Sequence, residues 1–332
     1  MKVCEKAGRP SMPDQYKKMR EAFADTVIEL ARKDPALFFI SADCGAQERE
    51  FFEKEGAGRL IETGIAEANS AVVAAALAAE GLKPYLLNFA YLLGRMYNQI
   101  SQSICQDAYP VRINAYYAGV WGIGGRSHNC VNDLSLMRSL PNLSIFSPAD
   151  YWETRALVRH ADRLPGPTYI RLSGVPTPVV FDREPEFAPV RTWRRGRRCT
   201  ILCHGTMVHE VLAANDMGHL DAEVVSVGQI KPFPEEEILA SAKKTGRVVV
   251  VEEHSAIGGL GECVGLVLGR QCPMPMRLVA VPDMFAWSVL TEAADIYERY
   301  GISRRQIIDA VSDVAQLSKR REDAHILSVS EK

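Results

Sequence analysis

Apolar residues along the first half of the chain switch repeatedly between a spacing of three to four and short continuous runs. From Asp14 onward, Met19, Phe23, Val27, Ile28 and Leu30 recur at helical spacing. The run ALFFISAD that follows reads as a buried strand ending at Asp43, and CGAQEREFFEKEGAGR reads as a loop leading to the short strand RLIET. A turn at Gly64 then opens Glu67 to Ala79, whose alanines and valines are too apolar and too small for anything but a closely packed helix. KPYLLNFAYLLGRMYNQISQSICQ begins as a strand and passes into a helix near Leu92. VRINAYYAGV is a further strand, followed by the glycine-rich loop WGIGGRSHN. LSIFSPAD, YWETRALVRHADR and GPTYIRL continue as strand, helix and strand. Such alternation predicts a mainly parallel sheet with helices on its faces.

The pattern breaks at SGVPTPVVFDREPEFAPVRTWRRGRR, rich in proline and charge and without a lasting period, which reads as an interdomain linker. Alternation then restarts. CTILCHG, AEVVSVGQI, RVVVVEEH and MRLVAVP read as strands, MVHEVLAAND and PEEEILASAKKT as helices, and GGLGE as a turn into another helix, with SRRQIIDAVSDVAQL as the closing helix. The expected fold is therefore α/β: two doubly wound domains, each with a mainly parallel or mixed sheet flanked by helices. The boundaries are an arm at 1–13, a first domain at 14–173, a linker at 174–197, a second domain at 198–320 and a polar tail at 321–332.

Composition changes this picture little. The 332 residues suit two domains that each bury a core. A net charge of -2 gives no basic excess for nucleic acid or an anionic membrane. Apolar runs stop well short of a membrane span and the N-terminus lacks the apolar core of a signal peptide, so the expected location is the cytoplasm. Eight cysteines are scattered without a CxxC pair or histidines at zinc spacing, so no metal site is expected; Cys199 and Cys203 belong to a buried strand.

Glu67 is the residue that needs explaining. A carboxylate in the first turn of a helix gains roughly 0.3–1 kcal/mol from the helix dipole. A carboxylate at the mouth of a buried helix is also placed to give and take a proton. Position alone leaves both readings open.

The order of motifs resembles the C-terminal half of the transketolase group of thiamine-diphosphate enzymes, its pyrimidine-binding and C-terminal domains. The resemblance rests on SAD at Ser41–Asp43, GIAE at Gly64–Glu67, LNF at Leu87–Phe89, RMYNQ at Arg95–Gln99, SHN at Ser127–Asn129, RSLPNL at Arg138–Leu143 and SPAD at Ser147–Asp150, all in the family's order. VSVGQIKPFPEEEI and VVVVEEHSAIGGLGE look like segments of deoxyxylulose-phosphate synthase and of 2-oxo acid dehydrogenase β subunits.

The resemblance implies that Glu67 pairs with a ring nitrogen of the cofactor's aminopyrimidine, serving the proton removal that activates it. Phe89 matches the aromatic that stacks on the pyrimidine, Ile65 of the same turn as Glu67 is assigned to the cofactor, and Asp43 matches a residue near it. His128 matches the histidine facing the reacting carbon, able to hold a substrate oxygen and move protons, and Arg95 an arginine near the substrate. His254 reads as structural.

The resemblance also implies a partner. The GDG sequence that holds Mg²⁺ and the diphosphate in this group occurs nowhere in the chain. A separate N-terminal subunit is thus expected to supply it, in an α2β2 heterotetramer. The implied reaction is transfer of a two-carbon ketol unit from a ketose to an aldehyde or carrier-bound acceptor. The alternatives are a 2-oxo acid dehydrogenase β subunit, a deoxyxylulose-phosphate-synthase-like enzyme, or a non-catalytic partner on the same fold. Three positions depart from the family: Gly124 where transketolases have a substrate-reading aspartate, and Tyr116 and Gly174 in place of the sugar-phosphate-binding histidine and arginine.

Overall fold

The computed structural model describes residues 16–120, 125–286 and 293–330. In the first domain a short strand β1 (Tyr16–Lys18) precedes α1 (Met19–Lys33), β2 (Leu37–Ser41), α2 (Ala46–Lys54), β3 (Leu60–Glu62), α3 (Glu67–Ala79), β4 (Lys83–Phe89), α4 (Leu93–Gln99), β5 (Arg112–Tyr116), α5 (Asp133–Arg138), β6 (Ser144–Phe146), α6 (Tyr151–Asp162) and β7 (Thr168–Arg171). The second comprises β8 (Pro176–Pro178), β9 (Val190–Arg194), β10 (Thr200–Cys203), α7 (Met207–Gly218), β11 (Glu223–Val227), β12 (Gln229–Lys231), α8 (Glu235–Thr245), β13 (Val248–Ser255), α9 (Leu260–Gln271), β14 (Met276–Val281), α10 (Ala293–Arg299) and α11 (Arg304–Ser330).

The expected architecture is present. The first sheet runs β12-β6-β7-β5-β4-β2-β3 and the second β14-β13-β10-β11-β9. Within these two sheets neighbouring strands are parallel except β12 beside β6 and β9 beside β11, while β1 and β8 form a separate antiparallel pair. Chain order reverses between β2 and β4, and the carboxyl ends of strands flanking such a reversal are where open α/β sheets form a crevice. Asp43 follows one of those strands and Phe89 ends the other. The helix α3 packs close to the sheet because its inward residues are small: Ser70, Ala71, Ala74 and Ala78 are buried.

Several expectations are corrected. The loop expected at 44–59 contains α2, because Glu48, Phe51 and Phe52 recur at helical spacing and all are buried, with Phe52 stacked on Phe39 at 5.5 Å. The linker expected at 174–197 is partly strand. Pro176–Pro178 pairs with Tyr16–Lys18, and Val190–Arg194 joins the second sheet as its antiparallel edge. AEVVSVGQI is two strands rather than one: after Val227 the chain crosses over, and Gln229–Lys231 pairs with β6 of the first sheet. The closing helix runs on past Leu317 to Ser330, through residues with high helix propensity such as Lys, Arg, Glu and Ala. The arm at 1–13 lies outside the described residues.

The domains share a core in which Ala71, Ile113 and Ile145 belong to the same apolar cluster as Leu202, Val225 and Leu260. Polar contacts add to it. Arg171 donates to Asp133 at 2.9 Å and to the Glu253 carbonyl at 2.7 Å, and Ser147 Oγ lies 2.8 Å from His204 Nδ1. His254 is buried in this network, its Nδ1 2.8 Å from the Ser255 carbonyl, and burial lowers its basicity. No helix among the described residues is long and apolar enough to cross a membrane.

Candidate active site

Glu67 is set by the turn before it. Gly64 takes φ +64, a conformation that glycine adopts without a Cβ penalty. Glu62 holds that turn: its Oε1 accepts from the backbone N–H of Asp43 at 2.8 Å and of Gly64 at 2.9 Å. Burial would raise the Glu62 carboxyl, but these N–H groups, Ser41 and Arg49 outweigh it and bring it below the ordinary value. The chain then enters α3 with Glu67 as its first residue, only 2% exposed. Arg95 on α4 donates from Nη1 to Glu67 Oε1 at 3.3 Å while most of its own side chain remains in solvent. A carboxylate withdrawn from water thus meets a guanidinium reaching in from outside.

Phe89 ends β4 and is half-buried. Its ring is stacked on Tyr117, centroids 5.4 Å apart and planes 12° apart, and meets His128 edge-on at 4.9 Å. Ser127 Oγ lies 2.8 Å from His128 Nδ1 and orients that ring. The structure therefore brings Glu67 to Arg95 and Phe89 to His128. Ile65 is 70% exposed beside the turn. Asp43, in a left-handed conformation at φ +56, is engaged away from these pairs, its Oδ1 3.4 Å from Arg49.

Tyr116 is buried and its hydroxyl donates to Glu48 Oε1 at 2.9 Å. Burial raises both acids, the Glu48 carboxyl and the Tyr116 phenol. A Cβ on Gly174 would lie 1.7 Å from Tyr117 Cδ1. Gly124 lies outside the described residues.

Sequence reasoning missed Arg20, Tyr117 and a cleft. The Arg20 guanidinium sits 5.4 Å from the Tyr116 ring centroid, and Arg20 and Lys18 both act to lower a Tyr117 phenol that burial raises. A helix-start arginine carries no signal of this in sequence. A cleft of about 500 Å³ is lined by Tyr91, Arg95, Asn129 and Asn132 from the first domain and by Ser255 and Asp283 from the second. Two domains build it, so no single segment could reveal it.

Residues 15–174 match the model of the transketolase pyrimidine-binding domain, and residues 189–307 that of the transketolase C-terminal domain. This chain belongs to the transketolase family. Within that family it is similar to a 6-deoxy-6-sulfo-D-fructose transketolase subunit of Clostridium sp. (strain MSTE9), 35% identical over 90% of this chain and 94% of that one. It is also similar to one of the subunits of an apulose-4-phosphate transketolase from Phocaeicola vulgatus, 31% identical over 87% of this chain and 94% of that one. A solved split-gene transketolase, described as an inactive β4 tetramer, superposes with a TM-score of 0.81 at 37% identity, covering 90% of this chain and 98% of that one.

Membership of the transketolase family implies thiamine diphosphate, and the residues fit its aminopyrimidine. Glu67 is a buried carboxylate that could meet a ring nitrogen, and Phe89 a half-buried ring that could take a face-on contact. Among the described residues no group of three His, Cys, Asp or Glu is gathered to hold a metal ion.

Proposed function

We propose that this chain is the small subunit of a two-component transketolase-like transferase working in the cytoplasm. It would move a two-carbon ketol unit from a ketose to an aldehyde or carrier-bound acceptor. Its partner would be a separate GDG-bearing subunit that holds the diphosphate and Mg²⁺, two copies of each chain forming the enzyme. The observation that supports this most is the match to 94% of the length of a chain that is itself a transketolase subunit.

Thiamine diphosphate, when bound, supplies the carbon nucleophile. Glu67 holds a proton at the pyrimidine ring nitrogen, in a pocket that excludes water from its carboxylate. Phe89 and Ile65 fix the ring, with Asp43 at the rim. His128 moves a proton at the substrate oxygen, and Arg95 binds substrate once a ligand competes for its contact with Glu67.

Calorimetry with thiamine diphosphate and Mg²⁺ tests the split site. The isolated chain should show no tight binding and no activity, and adding a GDG-bearing partner from a neighbouring gene should create both. Micromolar or tighter affinity in the isolated chain would overturn the partner requirement.

A further inference from the structure

We propose that Tyr117 is a positioning and specificity-determining residue of this site: its ring braces Phe89 and fills the space beside Gly174, making an aromatic wall there. The proposal rests on the functional reading of Phe89 given above.

Three observations carry it. Tyr117 has φ +56, a left-handed conformation rare for a bulky aromatic and kept only where the surroundings over-determine it. That twist follows the last residue of β5 and lays the ring flat against Phe89, with a 12° angle between the planes. One face of Phe89 is thereby covered, so the ring can offer a ligand only what remains. Tyr117 is itself 9% exposed, held between Phe89 and the segment after β7, which runs alongside through the bond from Ala118 N to the Leu172 carbonyl at 3.3 Å.

Gly174 supplies the third observation. Its backbone is not among those with positive φ, so conformation does not demand glycine there. Space does. A Cβ would stand 1.7, 2.3 and 2.9 Å from three atoms of the Tyr117 ring, closer than van der Waals contact allows. Glycine at 174 and tyrosine at 117 are one device: the ring occupies the volume into which any longer side chain at 174 would project. Positions 117 and 174 therefore contribute an aromatic face and no cation of their own, and a longer side chain at 174 requires the ring to be displaced.

The test combines the isolated full chain with the enzyme reconstituted from both subunits. In the isolated chain, Gly174→Ala should lower the melting temperature, and the same change in a Tyr117→Ala background should not. Equal effects in both backgrounds would overturn the coupling. In the reconstituted enzyme, Tyr117→Ala should weaken thiamine diphosphate binding, read by calorimetry, by about three- to tenfold, the range expected from one aromatic pair. Tyr117→Phe, which keeps the stack, should bind like the parent. Tyr117→Ala/Gly174→Arg should shift kcat/KM about tenfold toward phosphorylated over unphosphorylated acceptor relative to Tyr117→Ala alone. If Tyr117→Ala binds cofactor like the parent while Phe89→Ala binds weakly, the bracing role is wrong and the reading of Phe89 stands. If Phe89→Ala also binds like the parent, that reading fails and the proposal falls with it. No shift in acceptor preference removes the specificity role.

Discussion

A carboxylate at a helix start is common, and the dipole alone would justify Glu67. What separates it from an ordinary first-turn acid is that it is 2% exposed while Arg95, the cation paired with it, keeps 62% of its side chain in solvent. Lys244 and Glu223 share that asymmetry, at 56% and 4%, so the pair alone does not assign a role and the proton has to be followed directly. Glu67→Gln keeps the shape and one acceptor oxygen but cannot pass a proton. In the reconstituted complex it should slow exchange of the cofactor's thiazolium C2 proton by roughly 10²–10⁴-fold, the usual worth of a positioned acid or base, with little change in melting temperature. Unchanged exchange would return Glu67 to the role of a helix-start carboxylate. The glutamate was legible in the sequence because GIAE is a local motif. Its contact with Arg95 was not, since only the packing of α3 against α4 joins them. Gly174 read as a lost charge for the same reason: the ring that demands glycine there comes from the residue after β5, far away in sequence.

Elements with a strong period were read at nearly their true bounds, and α3 (Glu67–Ala79) coincides with its expected span. Those settled by docking were not. Short edge strands such as Val190–Arg194 and Gln229–Lys231 have too few residues for a period, and which sheet they join is decided by tertiary packing. The helix α2 was hidden because a buried glutamate, Glu48, breaks its apolar face. One start signal was fully local: in SPADYWE, Asp150 accepts from the Glu153 N–H at 2.9 Å while Glu153 accepts from the Ala149 N–H at 2.6 Å, a reciprocal capping arrangement at the start of α6. Burial pushes the Glu153 carboxyl up to about 7, against the Ala149 hydrogen bond that lowers it. The folded protein therefore keeps this proton at pH values where the unfolded chain has lost it. Stability should fall as pH rises from the ordinary carboxylate value near 4.5 to about 7, and level off beyond. Glu153→Gln keeps an acceptor for Ala149 without the charge. Between about pH 4.5 and about pH 8 it should gain about 1–3 kcal/mol relative to the parent in chemical denaturation, the difference developing across that window. Parallel pH profiles would show that another group governs the slope.

At the scale of the molecule, the acceptor of the proposed reaction would meet a wall drawn from several distant segments, and its charge can be counted only after folding. A phosphate dianion calls for cations or backbone N–H donors, a bidentate arginine being the strongest side-chain choice. Tyr116 offers nothing of the kind, because it is buried and its hydroxyl is spent on Glu48. Gly174 is covered by Tyr117. Cations at hand among the described residues include Arg20, over the Tyr116 ring, Lys18, paired with Glu21, and Arg95, already engaged with Glu67. This is a differently placed set from the one the family's histidine and arginine would give. Related subunits carry names that span both cases, one acting on a sulfonated sugar and one on a sugar phosphate. We therefore expect at least one substrate of the reconstituted enzyme not to be a simple sugar phosphate, but a larger, unphosphorylated or carrier-bound molecule. Steady-state assays with ribose 5-phosphate, glyceraldehyde 3-phosphate and their unphosphorylated counterparts decide the matter. Removing the phosphate should change kcat/KM by less than about tenfold for that substrate. A loss of roughly 10³ or more, about 4 kcal/mol of transition-state binding, would mean that the two subunits together build a phosphate site.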